Sequence, residues 1–314
     1  MTRLEATILQ LPPVKVLTNW AKGVVLPGFQ GVSLFDVGKF FYKEVTNTKV
    51  NVRAAAVTYN FLMAIPPTLL FLFSLIPYLP LGDVQVTILD TLKLLALPPA
   101  IYNSISGIII DFLNTERNDV LSYGILLTLF FSSNGMMGLM NTFDRGTSIH
   151  VKRSGLKRRW TSIKLTVMLI CVAIISLAAL ILQTEALNEI ILSVFNNVII
   201  VKLLSMLILI GLIFCMISIV YTYGPSMVHR FSFVSPGSVF ATVLSVVATV
   251  VFFFMVNNFI NYDKVYGSIG SLMAFMVWVW LNTMVIILGY ELNVSILLGK
   301  FSVKHESESK KNSK

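Results

Sequence analysis

Charged residues are scarce in this sequence. Asp, Glu, Lys and Arg make up only 12% of its 314 residues, whereas about 25% is usual in soluble domains. Hydrophobic residues make up 56% of the chain, and the mean hydropathy is +0.81. These values exclude an ordinary soluble domain and place the chain among integral membrane proteins.

Histidine and cysteine are also rare, which limits the chemistry that the chain can support. The three histidines, His150, His229 and His305, lie far apart in the sequence, so no cluster has the spacing of a metal site. Cys171 and Cys215 lie inside apolar runs, where we expect packing residues. The sequence has no P-loop and no G-x-S-x-G motif. We therefore do not expect an enzyme, and we expect no catalytic residues, no metal and no cofactor.

Six long apolar runs dominate the sequence. A helix needs about 20 apolar residues to cross the roughly 30 Å of hydrocarbon in a bilayer. The runs of this length predict an all-α fold, namely a polytopic membrane bundle of six transmembrane helices with amphipathic helices at the interface. The spans are 54–81, 120–140, 162–182, 198–221, 236–259 and 269–288. The predicted domain limits are 1–53 for an N-terminal segment, 54–298 for the transmembrane domain and 299–314 for a disordered tail.

Basic residues predict which side of the membrane each connecting segment faces, because segments rich in Lys and Arg stay in the cytoplasm. The net charge is positive for 1–53, negative for 80–119, positive for 142–164, negative for 184–202, positive for 223–235, zero for 258–268 and positive for the C-terminal tail. Six spans require this alternation. It predicts that the N- and C-termini are both cytoplasmic.

Two segments outside the spans have helical patterns. In 33–45, Ser33 is a suitable N-cap, and the apolar residues, such as Val37, share one face. This amphipathic helix is expected to lie along the cytoplasmic interface. The external segment 84–113 also has apolar residues at helical spacing, and it predicts two further helices. The sequence leaves open whether they are interfacial or re-entrant.

The run "HVKRSGLKRRW" (150–160) is strongly basic. As a loop between spans it follows the positive-inside pattern, and anionic lipid headgroups are suitable contacts for its cations. No RNA- or DNA-binding pattern accompanies the charge. We therefore expect membrane lipids as partners and no nucleic acid, and a homo-oligomer is left open. The cations assigned to lipid contact are Lys152, Arg153, Lys157, Arg158 and Arg159.

Several polar residues lie inside the predicted spans. In the second span, Gly135 and Gly138 would let another helix approach closely. Asn134 in the same span and Asn282 in the last span either make interhelical hydrogen bonds or line a substrate route, and both alternatives stay open. The candidate intramembrane polar residues are Tyr59, Asn60, Asn134, Asn141 and Asn282.

Two adjacent prolines, Pro66 and Pro67, fall near the middle of the first span. A proline lacks the amide donor and clashes with the preceding turn, so we expect the helix to be broken or kinked here. The break serves either packing alone or a cavity in which neighbours or water satisfy the freed carbonyls.

A carboxylate, Glu291, lies in the otherwise apolar stretch "VIILGYELNVSI" (285–296). At 1.5 Å per residue it is about 33 Å along the last helix, near the predicted cytoplasmic boundary. A buried charge needs a partner, and we expect Arg53, because its guanidinium can hold a carboxylate with two hydrogen bonds. The pair either fixes how the first and last helices dock or titrates in a gating step. The candidate cytoplasmic-edge polar network is Arg53, Asp144, Arg145, Arg230, Glu291 and Asn293.

Three stretches resemble the YihY/BrkB family. They are "RAAAVTYNFLMAIPPTLLFLFSL" (53–75), "SPGSVFATVLSVVAT" (235–249) and "YGSIGSLMAFMVWVWLNTMVIILGYELN" (266–293). The terminal Y-G-x-x-G…G-x-E-L-N run is the most specific part. The resemblance implies a multi-pass protein of the bacterial cytoplasmic (inner) membrane. The family also carries a ribonuclease BN-like label, but the scattered histidines form no H-x-H-x-D-H run, so we do not expect a nuclease.

The interrupted first span, the intramembrane amides and the external segment favour a transporter or translocator of a lipid or a small amphiphilic solute, with an envelope-related role. The alternative is a non-catalytic membrane scaffold or assembly partner. A cavity that is open to lipid would favour the first function, and a solid bundle would count against it.

Overall fold

The computed structural model of the chain describes residues 12–47, 49–75, 89–90, 102–103, 106–107, 110, 118–144, 151, 153–182, 198–227, 230–258 and 269–312. Within these ranges the chain is all-α, as predicted. The eight helices are α1 Pro12–Gly23, α2 Leu34–Asn47, α3 Val50–Leu75, α4 Asn118–Phe143, α5 Gly155–Leu182, α6 Val198–Tyr223, α7 Pro236–Asn258 and α8 Ile269–Asn312.

Each predicted span overlaps one of the helices α3 to α8. In the described part of the chain, four helices are long and apolar enough to cross a membrane. Their candidate spans are Gly155–Ser176, Met206–Tyr223, Pro236–Val256 and Leu272–Ser302. Six spans and cytoplasmic termini stay predictions, and most of the segment 84–113 lies outside the described residues.

Helix α3 continues through Pro66 and Pro67 to Leu75, so the prediction that these prolines break the helix is wrong. Each proline removes one amide donor, but the hydrogen bonds on both sides of the pair remain available. In a membrane, an unsatisfied backbone group costs several kcal/mol, which favours keeping the helix intact around the two missing donors.

Two helices extend beyond the apolar runs that predicted them. Helix α5 begins at Gly155, so most of the basic run 150–160 is helical and not a loop. Helix α8 has 44 residues and ends at Asn312, so the predicted disordered tail is helical over nearly all its length. Residues 300–312 contain no Gly or Pro, and Glu306 and Lys310 have the spacing of a helical ion pair.

Small residues set the closest helix contacts. A Cβ added at Gly135 would lie 2.9 Å from the Phe61 ring, and one at Gly138 would lie 2.7 Å from the Asn60 amide nitrogen. These glycines therefore let α4 lie directly against α3, as predicted. The last helix, α8, packs against α2, α3 and α7.

The amphipathic helix α2 begins as the sequence predicts. The Ser33 hydroxyl accepts a hydrogen bond from the Asp36 amide at 3.1 Å and donates one to the Asp36 carboxylate at 2.6 Å. Its apolar face packs against the protein, because Val37 is 2% exposed and clusters with Val32 and with Ile296 of α8. Helix α2 is therefore docked on the last helix.

Candidate functional site at the basic end of the bundle

One end of the bundle gathers arginines. Helices α4 and α6 end there, while α5 and α7 begin there. We call it the basic end, because Arg53, Arg153, Arg158 and Arg230 belong to the segments that meet there. The polar contacts described next all lie at or near this end.

Arg53 and Glu291 form a buried ion pair. Nη1 of Arg53 donates to Oε1 of Glu291 at 2.7 Å, and the two side chains are only 8% and 4% exposed. Nη2 of Arg53 donates to the carbonyl oxygen of Thr142 in the last turn of α4. The structure thus contains the pair that depth along the helices predicts, and the guanidinium joins α3, α4 and α8.

Tyr290, next to Glu291, lies in an aromatic cluster. Its ring stacks on Phe143 with centroids 4.1 Å apart and meets Tyr221 edge-on at 6.2 Å. Its hydroxyl donates to the Phe143 carbonyl at 3.3 Å, and the Tyr221 hydroxyl donates to the Ile286 carbonyl. These contacts fix the last turns of α4 and α6 against α8.

Gly289 and Asn293 hold α7 against α8. A Cβ at Gly289 would lie 2.7 Å from the Gly237 carbonyl oxygen, so the two backbones touch. Asn293 Oδ1 accepts from the Gly237 amide at 2.8 Å, and its Nδ2 donates to Ser235 Oγ at 2.9 Å. Asn293 therefore satisfies an amide that the first turn of α7 leaves without a helical partner. The sequence pattern alone does not reveal this role.

Arg158 and Arg159, at the start of α5, contact α4. Arg158 Nη1 donates to Asn141 Oδ1 at 2.9 Å, and its Nη2 lies 3.8 Å from the Asp144 carboxylate. Arg159 Nη1 donates to Asn134 Oδ1 at 2.5 Å. Both arginines therefore bind α4 while staying partly exposed, and their assignment to lipid contact stays a prediction. Because the helix begins before the apolar run, their side chains face a neighbouring helix, and both asparagines make interhelical hydrogen bonds.

Arg153 also makes hydrogen bonds within the protein. Its Nη1 and Nη2 donate to the carbonyls of Gly224 and Pro225, each at 3.0 Å. Burial lowers the pKa of the Arg153 guanidinium, and the nearby Asp144 carboxylate opposes this change. Since arginine stays protonated in proteins, Arg153 is a fixed positive charge. Of the other predicted lipid contacts, Lys157 is exposed and Lys152 lies outside the described residues.

The expected single network at the membrane edge is divided into separate groups. Arg230 is exposed and lies over the Tyr223 ring, 5.6 Å from its centroid, instead of joining Glu291. Asp144 accepts from the Ser226 amide at 2.9 Å. Arg145 lies outside the described residues. Equal depth along several helices does not ensure contact, because side chains at one depth can face different neighbours.

The other polar residues that the sequence places inside the spans have local or interhelical contacts. Asn60 donates to the Ala56 carbonyl of its own helix at 3.0 Å. Asn282 donates to the Trp278 carbonyl at 3.0 Å and lies 3.4 Å from Thr249 Oγ1 of α7. Tyr59, 59% exposed, lies on the outer face of α3.

An apolar groove lies close to the contact of Arg159 with Asn134. The groove has a volume of about 400 Å³ and lies where α3, α4, α5 and α6 meet. Its walls are almost entirely apolar, which suits an alkyl chain and not an ion. The lining residues are Phe61, Ala64, Ile65, Ser132, Met136, Thr166, Leu169, Ile170, Ala173 and Met216. The sequence does not predict this groove, because small and apolar residues at helical spacing are also typical of ordinary helix packing.

Metal-ligating side chains are sparse in the described part of the chain. Among the residues that the structure describes, no group of three or more His, Cys, Asp or Glu side chains could hold a metal ion. The side chains of all three histidines lie outside the described part. Cys171 and Cys215 are free thiols.

Comparison with known proteins gives consistent matches. The family model described as Virulence factor BrkB matches residues 41–313. YfkH of Bacillus subtilis (strain 168), which is named as a ribonuclease-like protein, is 31% identical over 77% of this chain and 88% of its own length. A UPF0761 membrane protein of Vibrio atlanticus (strain LGP32) is 24% identical over 82% of this chain and 81% of its own length. One from Haemophilus influenzae (strain 86-028NP) is 20% identical over 83% and 95%. No solved structure matches.

Proposed function

This chain belongs to the virulence factor BrkB family, and on that premise we propose that it moves a lipid or a small amphiphilic solute across or within the bacterial cytoplasmic membrane, in an envelope-related role. In this proposal α3 to α8 are six spans, and the basic end faces the cytoplasm. The orientation is supported by the positive charge of 142–164 and of both termini.

The observation that carries the proposal is the apolar groove that α3, α4, α5 and α6 line. Its volume of about 400 Å³ is within the range of small-molecule sites, about 300–1,000 Å³. A groove of this composition at the surface of a membrane bundle can hold an alkyl chain without exposing it to water. The transporter hypothesis requires a cavity that is open to lipid, and a groove with apolar walls supports it.

A polar group lies near the groove. Arg159 precedes Thr166 of the groove by seven residues, so it lies on the same face of α5, about 10 Å nearer the basic end. Its guanidinium contacts Asn134 and the Phe130 carbonyl and is partly exposed. An amphiphile whose chain occupies the groove would place its polar group close to this cation. We therefore expect the transported molecule to combine an apolar chain with a polar or anionic group.

Transport in reconstituted vesicles tests the proposal. Fluorescent phospholipid is incorporated with the purified protein, and dithionite then bleaches only the lipid that reaches the outer leaflet. The substitution Ala173→Phe, which fills the groove, is expected to slow movement about tenfold, or about 1.4 kcal/mol in barrier height. The matched control is Ile175→Phe, because Ile175 of the same helix is 60% exposed and does not line the groove.

Two results would count against transport. One is lipid movement no faster than in protein-free vesicles, across anionic and zwitterionic lipids. The other is equal slowing by Ala173→Phe and Ile175→Phe, which would separate the activity from the groove.

The alternative function, a membrane scaffold or assembly partner without transport, has its own support. The described polar residues of the G-Y-E-L-N run are engaged in contacts between helices, and this is also what a purely structural protein needs. Co-purification of one stable partner in stoichiometric amount, from cells in which transport is absent, would favour the scaffold.

A further inference from the structure

A second cavity lies at the basic end, apart from the groove. It has a volume of about 450 Å³ and is bounded by α5, the end of α6 and the segment before α7. Four cations line it: Arg153, Lys157, Lys164 and Arg230. No carboxylate is among the described lining residues. The pocket therefore concentrates positive charge that its own walls do not neutralise.

Helix α5 supplies one wall, and this wall changes character along its length. Lys157, Trp160, Lys164, Leu165 and Met168 occur at helical spacing on one face. The face is cationic at the basic end and apolar farther into the candidate span Gly155–Ser176. Trp160 is 61% exposed between the two parts, and tryptophan is enriched where headgroups meet hydrocarbon.

The two arginines have partners within the protein. Arg153 is fixed by the carbonyls of Gly224 and Pro225, and Arg230 lies over the Tyr223 ring. Lys157 and Lys164 are exposed, and the Lys164 ammonium lies 5.6 Å from the Trp160 ring centroid. Fixed guanidinium groups suit recognition of phosphate oxygens, because they provide several donors in a rigid arrangement.

We propose that this pocket binds the phosphate-bearing headgroup of an anionic glycerophospholipid in the leaflet at the basic end. The cations would surround the headgroup, while Met168, which is 38% exposed, would contact the first carbons of an acyl chain. A basic pocket between transmembrane helices is the usual setting for such binding. The site differs from the one that the sequence suggests, because Lys164 and Arg230 belong to it and Arg158 and Arg159 do not. It stands whether or not the protein transports anything.

Native mass spectrometry of the purified full-length protein tests the site. The probes are phosphatidylglycerol, phosphatidylcholine of the same chain length, and inorganic phosphate. The test variant is Lys164→Gln/Arg230→Gln. The control is Lys39→Gln/Lys43→Gln, which removes the same charge from exposed positions of α2. A third variant, Lys164→Arg/Arg230→Lys, keeps the charge.

The unchanged protein is expected to retain more phosphatidylglycerol than phosphatidylcholine. Loss of the two pocket cations should weaken phosphatidylglycerol binding roughly 30-fold, while the control and the charge-keeping variant bind as the unchanged protein does. Equal weakening by the pocket and control variants would overturn the proposal, since only total charge would then matter. Equal binding of the two lipids would also overturn it. Displacement of the lipid by millimolar inorganic phosphate would show a site for free phosphate instead of a lipid.

Discussion

At the scale of single residues, the G-Y-E-L-N run of α8 is a set of distinct helix contacts. Gly289 brings the α7 and α8 backbones together, Tyr290 stacks on Phe143 of α4, Glu291 pairs with Arg53 of α3, and Asn293 caps the start of α7. Four neighbouring positions thus hold three other helices, which gives a physical reason for their occurrence as one motif.

The buried ion pair gives a stability prediction. Arg53→Met or Glu291→Leu alone should lower the free energy of unfolding by about 3–5 kcal/mol, because each leaves the other charge buried and unpaired. Arg53→Met/Glu291→Leu should lose much less than the sum of the two. Reversible unfolding in mixed micelles measures all of these, with exposed Lys39→Ala as a control. Strictly additive losses would mean that the two side chains are not energetically coupled.

The sequence could predict the Arg53–Glu291 pair because both residues stand out against apolar surroundings and lie at similar depth. It could not predict the bonds from Arg158 to Asn141 and from Arg159 to Asn134. The arginines precede the apolar run, so they looked like loop residues. Their partners depend on which faces of α4 and α5 meet, and one sequence does not contain that information.

At the scale of helices, the crossing of α7 and α8 makes a second prediction. A Cβ at Gly237 would lie 2.1 Å from the Gly289 carbonyl oxygen, which backbone cannot accommodate without moving. Gly237→Ala should therefore cost about 1–3 kcal/mol of stability or more. At Gly211 in α6 a Cβ would meet nothing within 4 Å, so Gly211→Ala should be neutral or gain up to about 1 kcal/mol. Thermal unfolding in detergent compares the two, and equal effects would contradict the close crossing.

Helix ends were harder to predict than helix positions, for a physical reason. Hydropathy detects the part of a helix that can lie in hydrocarbon, not the hydrogen-bonded length. Helix α5 starts seven residues before its apolar run and α8 continues to Asn312, because Lys, Arg and Glu are good helix formers. The prolines of α3 show a related limit, because a proline signals two missing amide donors but not whether the neighbouring helical hydrogen bonds continue around them.

At the scale of the whole molecule, the six-span arrangement can be tested by accessibility. With Cys171 and Cys215 replaced by alanine, single cysteines are placed at Lys39, Asn103 and Ser302, all of which are exposed. A membrane-impermeant maleimide should label the Asn103 position in intact cells and the other two only after permeabilisation. Labelling of Lys39 and Asn103 from the same side would show that α3 does not cross the membrane.

The Arg53–Glu291 contact also has a consequence for the order of events during synthesis. Its partners are 238 residues apart in the chain, and ribosomes add about 5–20 residues per second. For roughly 12–48 s after Arg53 is made, the carboxylate that will neutralise it does not yet exist. If α3 is a span, it must therefore remain in the membrane, or at its surface, with Arg53 solvated by water or lipid phosphate. The contact that joins α3, α4 and α8 forms only after α8 has been made.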